Sequence, residues 1–213
     1  MYERFIKRLL DLMLSLIATI VLAIPMLIVA VIIKIDDPGP VLFKQKRIGK
    51  NKSYFWLYKF RTMKMNTPDV PTHLLAHPEQ YITRTGATWR KYSIDELPQL
   101  YNALRGEISL IGPRPALWNQ FDLLEERDLY GANDVRPGLT GWAQINGRDE
   151  LEIPEKARLD GEYVAALKRG GWTAFAMDVR CFIGTIFSVV KHEGVVEGGT
   201  GEIHKDELET AAK

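Results

Sequence analysis

A run of apolar residues without a single charge extends from Leu12 to Ile33, and it limits the possible folds more than any other feature. As a straight helix its 22 residues would span about 33 Å, close to the roughly 30 Å of a bilayer core. Fourteen of them are Leu, Ile or Val, so insertion gains about 6 kcal/mol, whereas the internal Pro25 costs about 3 kcal/mol. The run therefore predicts a membrane anchor whose shape depends on Pro25.

Basic residues flank this anchor on both sides. Arg4, Lys7 and Arg8 precede it, and Lys34 follows it. Since Lys and Arg are enriched in cytoplasmic flanks, both ends are expected on the cytoplasmic side, as in a re-entrant helix hairpin broken at Pro25. A kinked span is the alternative, and charge alone leaves both open. A cleaved signal peptide is disfavoured, because no small-residue cleavage site follows the run.

The rest of the pattern predicts an α+β fold that is mostly helical. Val41–Lys46 and Ser53–Phe60 are predicted as short strands, and RIGKNK between them supplies the turn of a small β-hairpin. The spacing of apolar residues predicts helices over Leu97–Leu104, Ala116–Tyr130, Pro154–Lys168 and Trp172–Lys191. The last helix carries an apolar stripe that suits either the protein core or the bilayer surface, formed by Phe175, Val179, Phe182, Ile183, Ile186 and Val190.

These elements divide the chain into an anchor (residues 1–35), a folded domain (residues 36–191) and a flexible tail (residues 192–213) rich in Gly and charge. The formal net charge is +1, so no attraction to nucleic acid is expected. Residues 38–68 nevertheless contain no acid and eight bases, which suits lipid headgroups or phosphate groups. These bases are Lys44, Lys46, Arg47, Lys50, Lys52, Lys59, Arg61 and Lys64. The single cysteine, Cys181, excludes an internal disulfide and is expected in the core.

Two adjacent carboxylates, Asp95 and Glu96, lie in the segment YSIDELPQL. Ser93 and Glu96 have the spacing of a capping box, which is the purely structural interpretation. The alternative is catalysis, because like charges side by side repel and need a reason to be kept together. In both interpretations the carboxylates lie at a helix N-terminus, where the partial positive charge favours their ionised forms. The spacing leaves both interpretations open.

Several cations accompany this pair in the sequence. Lys59 and Arg61 lie in KFRTM at the end of the second predicted strand, and Arg90 lies five residues before Asp95. Arg114 stands between two prolines in SLIGPRPAL, so it is carried on stiff backbone that suits bidentate binding of phosphate. A plain strand-to-helix loop is the alternative for that segment.

Three further residues complete the candidate site. Arg136 and Arg148 lie in the Gly-rich segment DVRPGLTGWAQINGR. Asp178 interrupts an apolar helical stretch, where it is either exposed or buried beside a partner. The set predicts an ionic site for a phosphorylated ligand. Because the chain has neither a Walker motif nor Gly-x-Gly-x-x-Gly, nucleotide binding by a P-loop or a Rossmann turn is excluded.

These motifs in this order resemble the bacterial sugar transferases, specifically the small monotopic phosphoglycosyl transferases. The resemblance rests on KR..D from Lys7 to Asp11, the proline-broken anchor, KFRTM, SIDELPQL, LIGPRP and DVRPGLTGWAQINGR, and it covers the chain to about Lys191. It implies a re-entrant anchor and amphipathic helices at the membrane surface. It also implies a location at the bacterial inner membrane, with residues 36–191 as the catalytic domain on the cytoplasmic face.

The resemblance also implies a reaction: transfer of a sugar 1-phosphate from a UDP-sugar to polyprenyl phosphate, with release of UMP. It implies that Asp95 is the nucleophile, which forms a covalent aspartyl phosphosugar. It also implies that Glu96 helps to bind Mg²⁺. With an ordinary pKa near 3.9, Asp95 would be ionised at neutral pH and need no general base. Positions matching the family's active-site residues are Lys59, Arg90, Arg114 and Asp178.

The second substrate and the membrane lipid give roles to the basic start of the chain. A polyprenyl phosphate stays in the bilayer, so the site has to lie at the headgroup plane, where Lys7 and Arg8 are expected to meet lipid phosphate. Two other functions remain as alternatives: a membrane-bound hydrolase of nucleotide sugars, and a non-enzymatic adaptor that binds lipid.

Overall fold

The structure is a computed structural model that describes residues 2–68, 75, 77–147 and 151–191. Within that part of the chain the fold is α+β and mostly helical, as predicted. The helices are α1 (Arg8–Val21), α2 (Ala23–Asp36), α3 (Gly86–Lys91), α4 (Gln99–Arg105), α5 (Phe121–Asp128), α6 (Trp142–Ile145), α7 (Ile153–Arg169) and α8 (Gly171–Lys191). The strands are β1 (Leu42–Ile48), β2 (Tyr54–Phe60), β3 (Ser109–Ile111) and β4 (Gly138–Thr140).

The apolar N-terminal run forms two helices with a bend between them. A π-helical turn, Tyr2–Lys7, leads into α1, and α1 and α2 meet at Leu22. No helix in the described ranges has by itself the length and apolarity to cross a membrane. The pair Tyr2–Val21 and Ala23–Asp36, bent by 59°, meets both criteria when its halves are counted together.

The bend falls three residues before the predicted break at Pro25, which is the third residue of α2. Proline has no N–H to donate to the carbonyl four residues earlier, here that of Val21, and its ring collides with the preceding turn. The chain therefore departs from helical geometry at Leu22, in the turn that the proline disturbs, and α2 begins just before the ring.

The predicted β-hairpin is confirmed. β1 and β2 pair antiparallel in the register Leu42↔Phe60 to Ile48↔Tyr54. Phe55 and Leu57 face inward and pack against Ala103 of α4 and Ile108. Asn102 of α4 completes the outer edge of β2. Its side chain accepts a hydrogen bond from Tyr58 N at 3.1 Å and donates one to Trp56 O at 2.8 Å.

A second pair of strands was not predicted. β3 and β4 are three residues each and run parallel, with Ser109 opposite Gly138 and Ile111 opposite Thr140. The backbones approach so closely that a Cβ on Gly138 would lie 2.1 Å from Gly112 N. Only glycine fits this contact. The pair holds the start of the GPRP segment, because Gly112 N donates to Thr140 O and Gly138 N donates to Pro113 O, both at 2.8 Å.

The predicted helices are found, with two differences. α5 begins at Phe121 rather than Ala116, because Leu117 instead forms an antiparallel bridge with Arg47 of β1. In α8 the predicted apolar stripe is not in the core from Phe175 to Ile186, and the side chain of Val190 lies outside the described part. Phe182 is 57% exposed and Ile186 is 50% exposed, whereas Cys181 is fully buried as expected. The core interpretation of the stripe is therefore wrong, and its contact with a bilayer stays a prediction.

Candidate active site

Asp95 and Glu96 lie in a short 3₁₀ turn, Ile94–Glu96, that leads towards α4. Ser93 adopts a left-handed conformation with φ of 54°, and its side chain caps nothing. The capping-box interpretation is therefore wrong. The backbone N–H of Glu96 instead donates to the backbone carbonyl of Ser93 at 3.1 Å. Neither carboxylate therefore caps a helix. They are nevertheless buried, with 7% of Asp95 and 9% of Glu96 exposed.

Cations from two distant segments surround this pair. Lys59 Nζ and Arg114 Nη2 each lie 2.8 Å from Glu96 Oε1. Lys59 Nζ also lies 3.9 Å from Asp95 Oδ2, so one ammonium group faces both carboxylates. Attraction to Lys59 and Arg114 offsets the repulsion between the adjacent acids. This attraction allows two neighbouring carboxylates to remain buried in the fold.

The cations are placed by rigid parts of the fold. Lys59 projects from the inner face of β2, next to the buried Phe60. Arg114 follows β3 between two prolines, whose fixed φ angles restrict its backbone. Arg90 lies in the last turn of α3, and its Nε donates to Thr62 Oγ1 at 2.9 Å. The candidate site thus joins the β-hairpin, the GPRP segment and the turn before α4.

Burial changes the acid–base properties of the site. It raises the pKa of Asp95 above its usual value, and Lys59 opposes this rise while Glu96 adds to it. Arg90 and Arg114 act in the same direction as Lys59. Burial also lowers the pKa of Lys59, against the attraction of Glu96. The assumption of an ordinary aspartate pKa is therefore wrong for Asp95, whose carboxylate is harder to ionise than one in water.

Two other predicted site residues have partners elsewhere. Arg61 binds the carboxylate and carbonyl of Asp37 and the carbonyl of Pro40, so it fastens the chain where it leaves α2. Arg136 Nε donates to Gly106 O at 3.1 Å, at the end of α4 away from the carboxylate pair. Arg148 lies outside the described residues, and so do residues 192–213 of the predicted tail.

Asp178 is buried, and it forms a second polar cluster. Its Oδ2 accepts hydrogen bonds from Tyr2 at 2.7 Å and Lys7 at 2.8 Å, and its Oδ1 accepts one from Tyr163 at 2.8 Å. The Tyr163 hydroxyl also lies 3.1 Å from the carbonyl of Ile111, at the end of β3. Burial and the charge of Asp178 raise the pKa of Tyr163, which keeps this hydroxyl protonated as a donor. The two tyrosines were not predicted, because no spacing or motif distinguishes them from core aromatics.

The KR..D motif fastens the anchor to three elements of the folded part. Lys7 pairs with Asp178 in α8. Arg8 donates to the carbonyls of Ala103 and Leu104 at 2.7 and 2.9 Å, at the end of α4. Asp11 accepts from Ser109 Oγ at 2.7 Å and from Leu110 N at 3.1 Å, in β3. Lys7 is only 7% exposed, so in this structure it binds a protein carboxylate, and its contact with lipid phosphate stays a prediction, as does that of Arg8.

The carboxylates allow a test of the expected Mg²⁺. No group of three His, Cys, Asp or Glu side chains in the described part of the chain is placed to hold a metal. Mg²⁺ in phosphoryl-transfer sites is commonly held by one or two carboxylates, with water and substrate phosphates completing the octahedron. Asp95 and Glu96 offer such a pair of hard oxygen donors. The residues therefore fit Mg²⁺ that arrives with a diphosphate, rather than a site built from protein ligands alone.

A buried carboxylate pair bracketed by lysine and arginine is the kind of site with which enzymes act on phosphorylated substrates. Comparison with known proteins gives this class a family. The profile described as bacterial sugar transferase matches residues 2–192. The chain belongs to the bacterial sugar transferase family, which confirms the resemblance and the prediction of a phosphoglycosyl transferase.

Three relatives illustrate the match. The uncharacterized sugar transferase EpsL of Bacillus subtilis is 39% identical over 89% of this chain and 90% of its own. The undecaprenyl-phosphate glucose phosphotransferase of Komagataeibacter xylinus is 40% identical over 88% of this chain, but only 35% of its own length is covered. The UDP-glucose:undecaprenyl-phosphate glucose-1-phosphate transferase of Escherichia coli is 34% identical, with 87% and 40% covered. The chain thus spans most of EpsL and less than half of the other two.

Proposed function

We propose that this protein transfers a sugar 1-phosphate from a UDP-sugar to polyprenyl phosphate and releases UMP, as a membrane step in glycan or polysaccharide assembly. The names of the relatives from Komagataeibacter xylinus and Escherichia coli support the acceptor, and the latter name also supports a UDP-linked donor. The observation that carries the proposal is the buried pair Asp95 and Glu96, with Lys59 and Arg114 both 2.8 Å from one Glu96 oxygen.

The reaction proceeds in two displacements at the same phosphorus. The Asp95 carboxylate attacks the phosphoryl group attached to the sugar, the bond to the bridging oxygen breaks, and UMP leaves with that oxygen and the electron pair. An oxygen of polyprenyl phosphate then attacks the aspartyl phosphosugar, and the Asp95 carboxylate is released. Glu96 and Asp95 are the residues that would hold Mg²⁺, which supplies positive charge to the diphosphate when bound.

The cations of the site serve the first displacement. A carboxylate that approaches a diphosphate meets repulsion of about 4 kcal/mol per charge pair at 4 Å and an effective dielectric near 20. Lys59, Arg90 and Arg114 reduce that repulsion, and they stabilise the charge that develops on UMP. Burial of Asp95 strips water from its carboxylate before the attack.

A label-exchange experiment separates the proposed transferase from its alternatives. The transferase exchanges labelled UMP into UDP-sugar without any lipid acceptor, because the first displacement is reversible. A hydrolase of nucleotide sugars would consume the donor steadily under the same conditions, and a lipid-binding adaptor would release no UMP. Screening a panel of UDP-sugars in this assay identifies the sugar.

The aspartyl intermediate has its own test. Enzyme mixed with donor alone should gain the mass of a sugar phosphate on the peptide that contains Asp95. Asp95→Asn should show neither that mass nor any turnover, while Asp122→Asn, a change at the exposed start of α5, should retain both. Turnover in Asp95→Asn at the wild-type rate would contradict the role of nucleophile.

The anchor is proposed as a re-entrant hairpin at the bacterial inner membrane, with residues 36–191 on the cytoplasmic face. The bend of 59° between its helices and the basic residues on both flanks support it. Cys181 is fully buried, so single cysteines can be introduced without removing it. Arg4→Cys and Lys34→Cys should react with an impermeant thiol reagent in inverted vesicles and not in intact cells. Labelling of the two from opposite faces would contradict the hairpin.

A further inference from the structure

Gln99, the first residue of α4, carries an amide nitrogen that has no hydrogen-bond partner in the described part of the chain. Only 2% of the residue is exposed, and its Nε2 is buried with no hydrogen-bond partner among the described residues. A buried N–H donor without an acceptor destabilises a folded protein, so such groups are rare. A methionine or leucine of similar size would avoid this cost, so the polar group at this position needs an explanation.

Gln99 lies on the helical face that carries the catalytic carboxylates. Leu97 and Pro98 keep right-handed helical angles, so the path from Ile94 to Arg105 is continuous and residues three or four apart share a face. Glu96, Gln99 and Asn102 follow one another at a spacing of three, and all three are buried. Gln99 is also four residues after Asp95.

The neighbours of Gln99 on that face both bind β2. Glu96 accepts from Lys59, and Asn102 exchanges hydrogen bonds with the backbone of Tyr58 and Trp56. By its spacing Gln99 lies one helical turn after Glu96 and one before Asn102, between the two residues that make these contacts. Both polar atoms of the Asn102 carboxamide form hydrogen bonds, so the fold can satisfy a carboxamide on this face. The Nε2 of Gln99 is the exception.

The chemistry around the candidate site indicates which acceptor is missing. Lys59, Arg90 and Arg114 are donors only, so they offer nothing to an N–H group. Glu96 Oε1 already accepts from two of these cations. The acceptor that suits an amide donor in such surroundings is an anionic oxygen brought in by the substrate.

We propose that Gln99 is a further catalytic residue, whose carboxamide donates a hydrogen bond to a phosphoryl oxygen of the sugar diphosphate. The inference rests on the proposed function and adds to it a neutral donor one helical turn from the nucleophile. A donor that reaches a phosphoryl oxygen stabilises the charge that builds up there during attack. Because Nε2 is buried in the free protein, the side chain changes its rotamer when the substrate binds, and the unmet donor is then satisfied.

This role makes stability and activity respond in opposite directions to one change. Gln99→Met keeps the length of the side chain and removes both polar atoms. The free protein loses an unsatisfied donor, so its thermal unfolding midpoint in detergent should equal or exceed that of the wild type. The kcat/KM for UMP release should fall at least tenfold, and the upward shift of the midpoint on adding UDP-sugar should shrink.

Leu100→Met is the matched control, because Leu100 is the next residue of α4 and is 5% exposed. It introduces the same side chain into the same helix and should keep kcat/KM within twofold of the wild type. Gln99→Glu retains the size and removes the donor while adding negative charge. It should lose at least as much activity as Gln99→Met, and it replaces that variant as the test if the methionine does not fold.

Two outcomes would overturn the inference. Gln99→Met could keep kcat/KM within twofold, which would mean that the amide contacts no reacting group. It could also unfold at a lower temperature and lose activity only in proportion to the folded fraction, which would make Gln99 a structural residue. Failure of the proposed function looks different, because the wild type itself would then release no UMP from any UDP-sugar in the panel.

Discussion

At the scale of single residues, the pKa of Asp95 links the site to pH. Burial raises it, and Lys59 is the cation that opposes this rise most. Ionised Asp95 is the proposed nucleophile, so activity should decline as pH falls towards this pKa, at a pH above the usual aspartate value of about 3.9. Lys59→Met should raise the pKa further and move the acid limb of the kcat/KM profile to higher pH.

The conservative change Lys59→Arg is the control for that shift. It retains the positive charge, so the acid limb should stay near its wild-type position even if geometry lowers the rate. An acid limb that does not move in Lys59→Met would mean that a group other than Asp95 controls the profile. The measurement is kcat/KM for UMP release from pH 4 to pH 9.

The same pKa has a consequence for stability. Because the folded protein raises the pKa of Asp95, ionising this carboxyl costs stability at every pH above its unfolded pKa, about 3.9. Asp95→Asn removes that cost, so the variant should unfold at a higher temperature than wild type near pH 7. The difference should disappear as the pH falls well below about 3.9, where the carboxyl is protonated in both states. A variant less stable than wild type at pH 7 would contradict the direction of the shift.

At the scale of elements, the contact between β3 and β4 controls the position of Arg114. A Cβ at Gly138 would lie 2.1 Å from Gly112 N, two residues before Arg114. Gly138→Ala should therefore separate the strands, destabilise the protein by about 3 kcal/mol and lower kcat/KM by displacing the guanidinium. Gly170→Ala is a useful comparison, because no atom lies within 4 Å and only its φ of 70° is unfavourable. Together with a ψ of −168°, this φ lies in a region that is nearly restricted to glycine, so the change should cost about 2 kcal/mol and leave kcat/KM unchanged.

The attachment of the anchor can be tested through its buried ion pair. Lys7 and Asp178 have side chains 8% and 10% exposed, so removing the ammonium leaves a buried carboxylate that accepts hydrogen bonds from two tyrosines but has lost its positive partner. Lys7→Met should destabilise the protein by about 3 kcal/mol, measured by thermal unfolding in detergent. Lys52→Met removes one partner of an exposed pair, with Asp128, and should cost less than about 1 kcal/mol. Equal effects of the two changes would contradict the structural role of Lys7.

Local patterns predicted the elements that are stabilised by their own residues. β1 and β2 are rich in aromatic and branched residues around a Gly-Lys-Asn turn, and α7 and α8 have long apolar stripes, so they were predicted within a few residues. β3 and β4 were missed because each has only three residues and their pairing depends on a glycine contact across 26 positions of the chain. Such a contact leaves no periodic trace in the sequence.

In the candidate site, too, residues with a local sequence signal were predicted correctly, whereas positions set by contacts between distant segments were not. Charge and backbone stiffness indicated Lys59, Arg90 and Arg114, and the structure brings all three to the carboxylate pair. Arg136 shares a Gly-rich motif typical of a binding loop, but the segment just before β4 places it at Gly106. Proximity in sequence to a motif does not determine which end of a helix a side chain reaches.

On the scale of the whole molecule, Lys7, Arg8 and Asp11 bind groups that belong to α8, α4 and β3, although they come from the hydrophobic start of the chain. Removing that start to obtain a water-soluble enzyme would strip Asp178 of its counter-ion, remove the Arg8 hydrogen bonds to two carbonyls at the end of α4 and free the edge of a strand. Solubilisation by truncation is thus expected to give aggregates. Detergents or nanodiscs that retain residues 1–35 are the sound route to an active preparation.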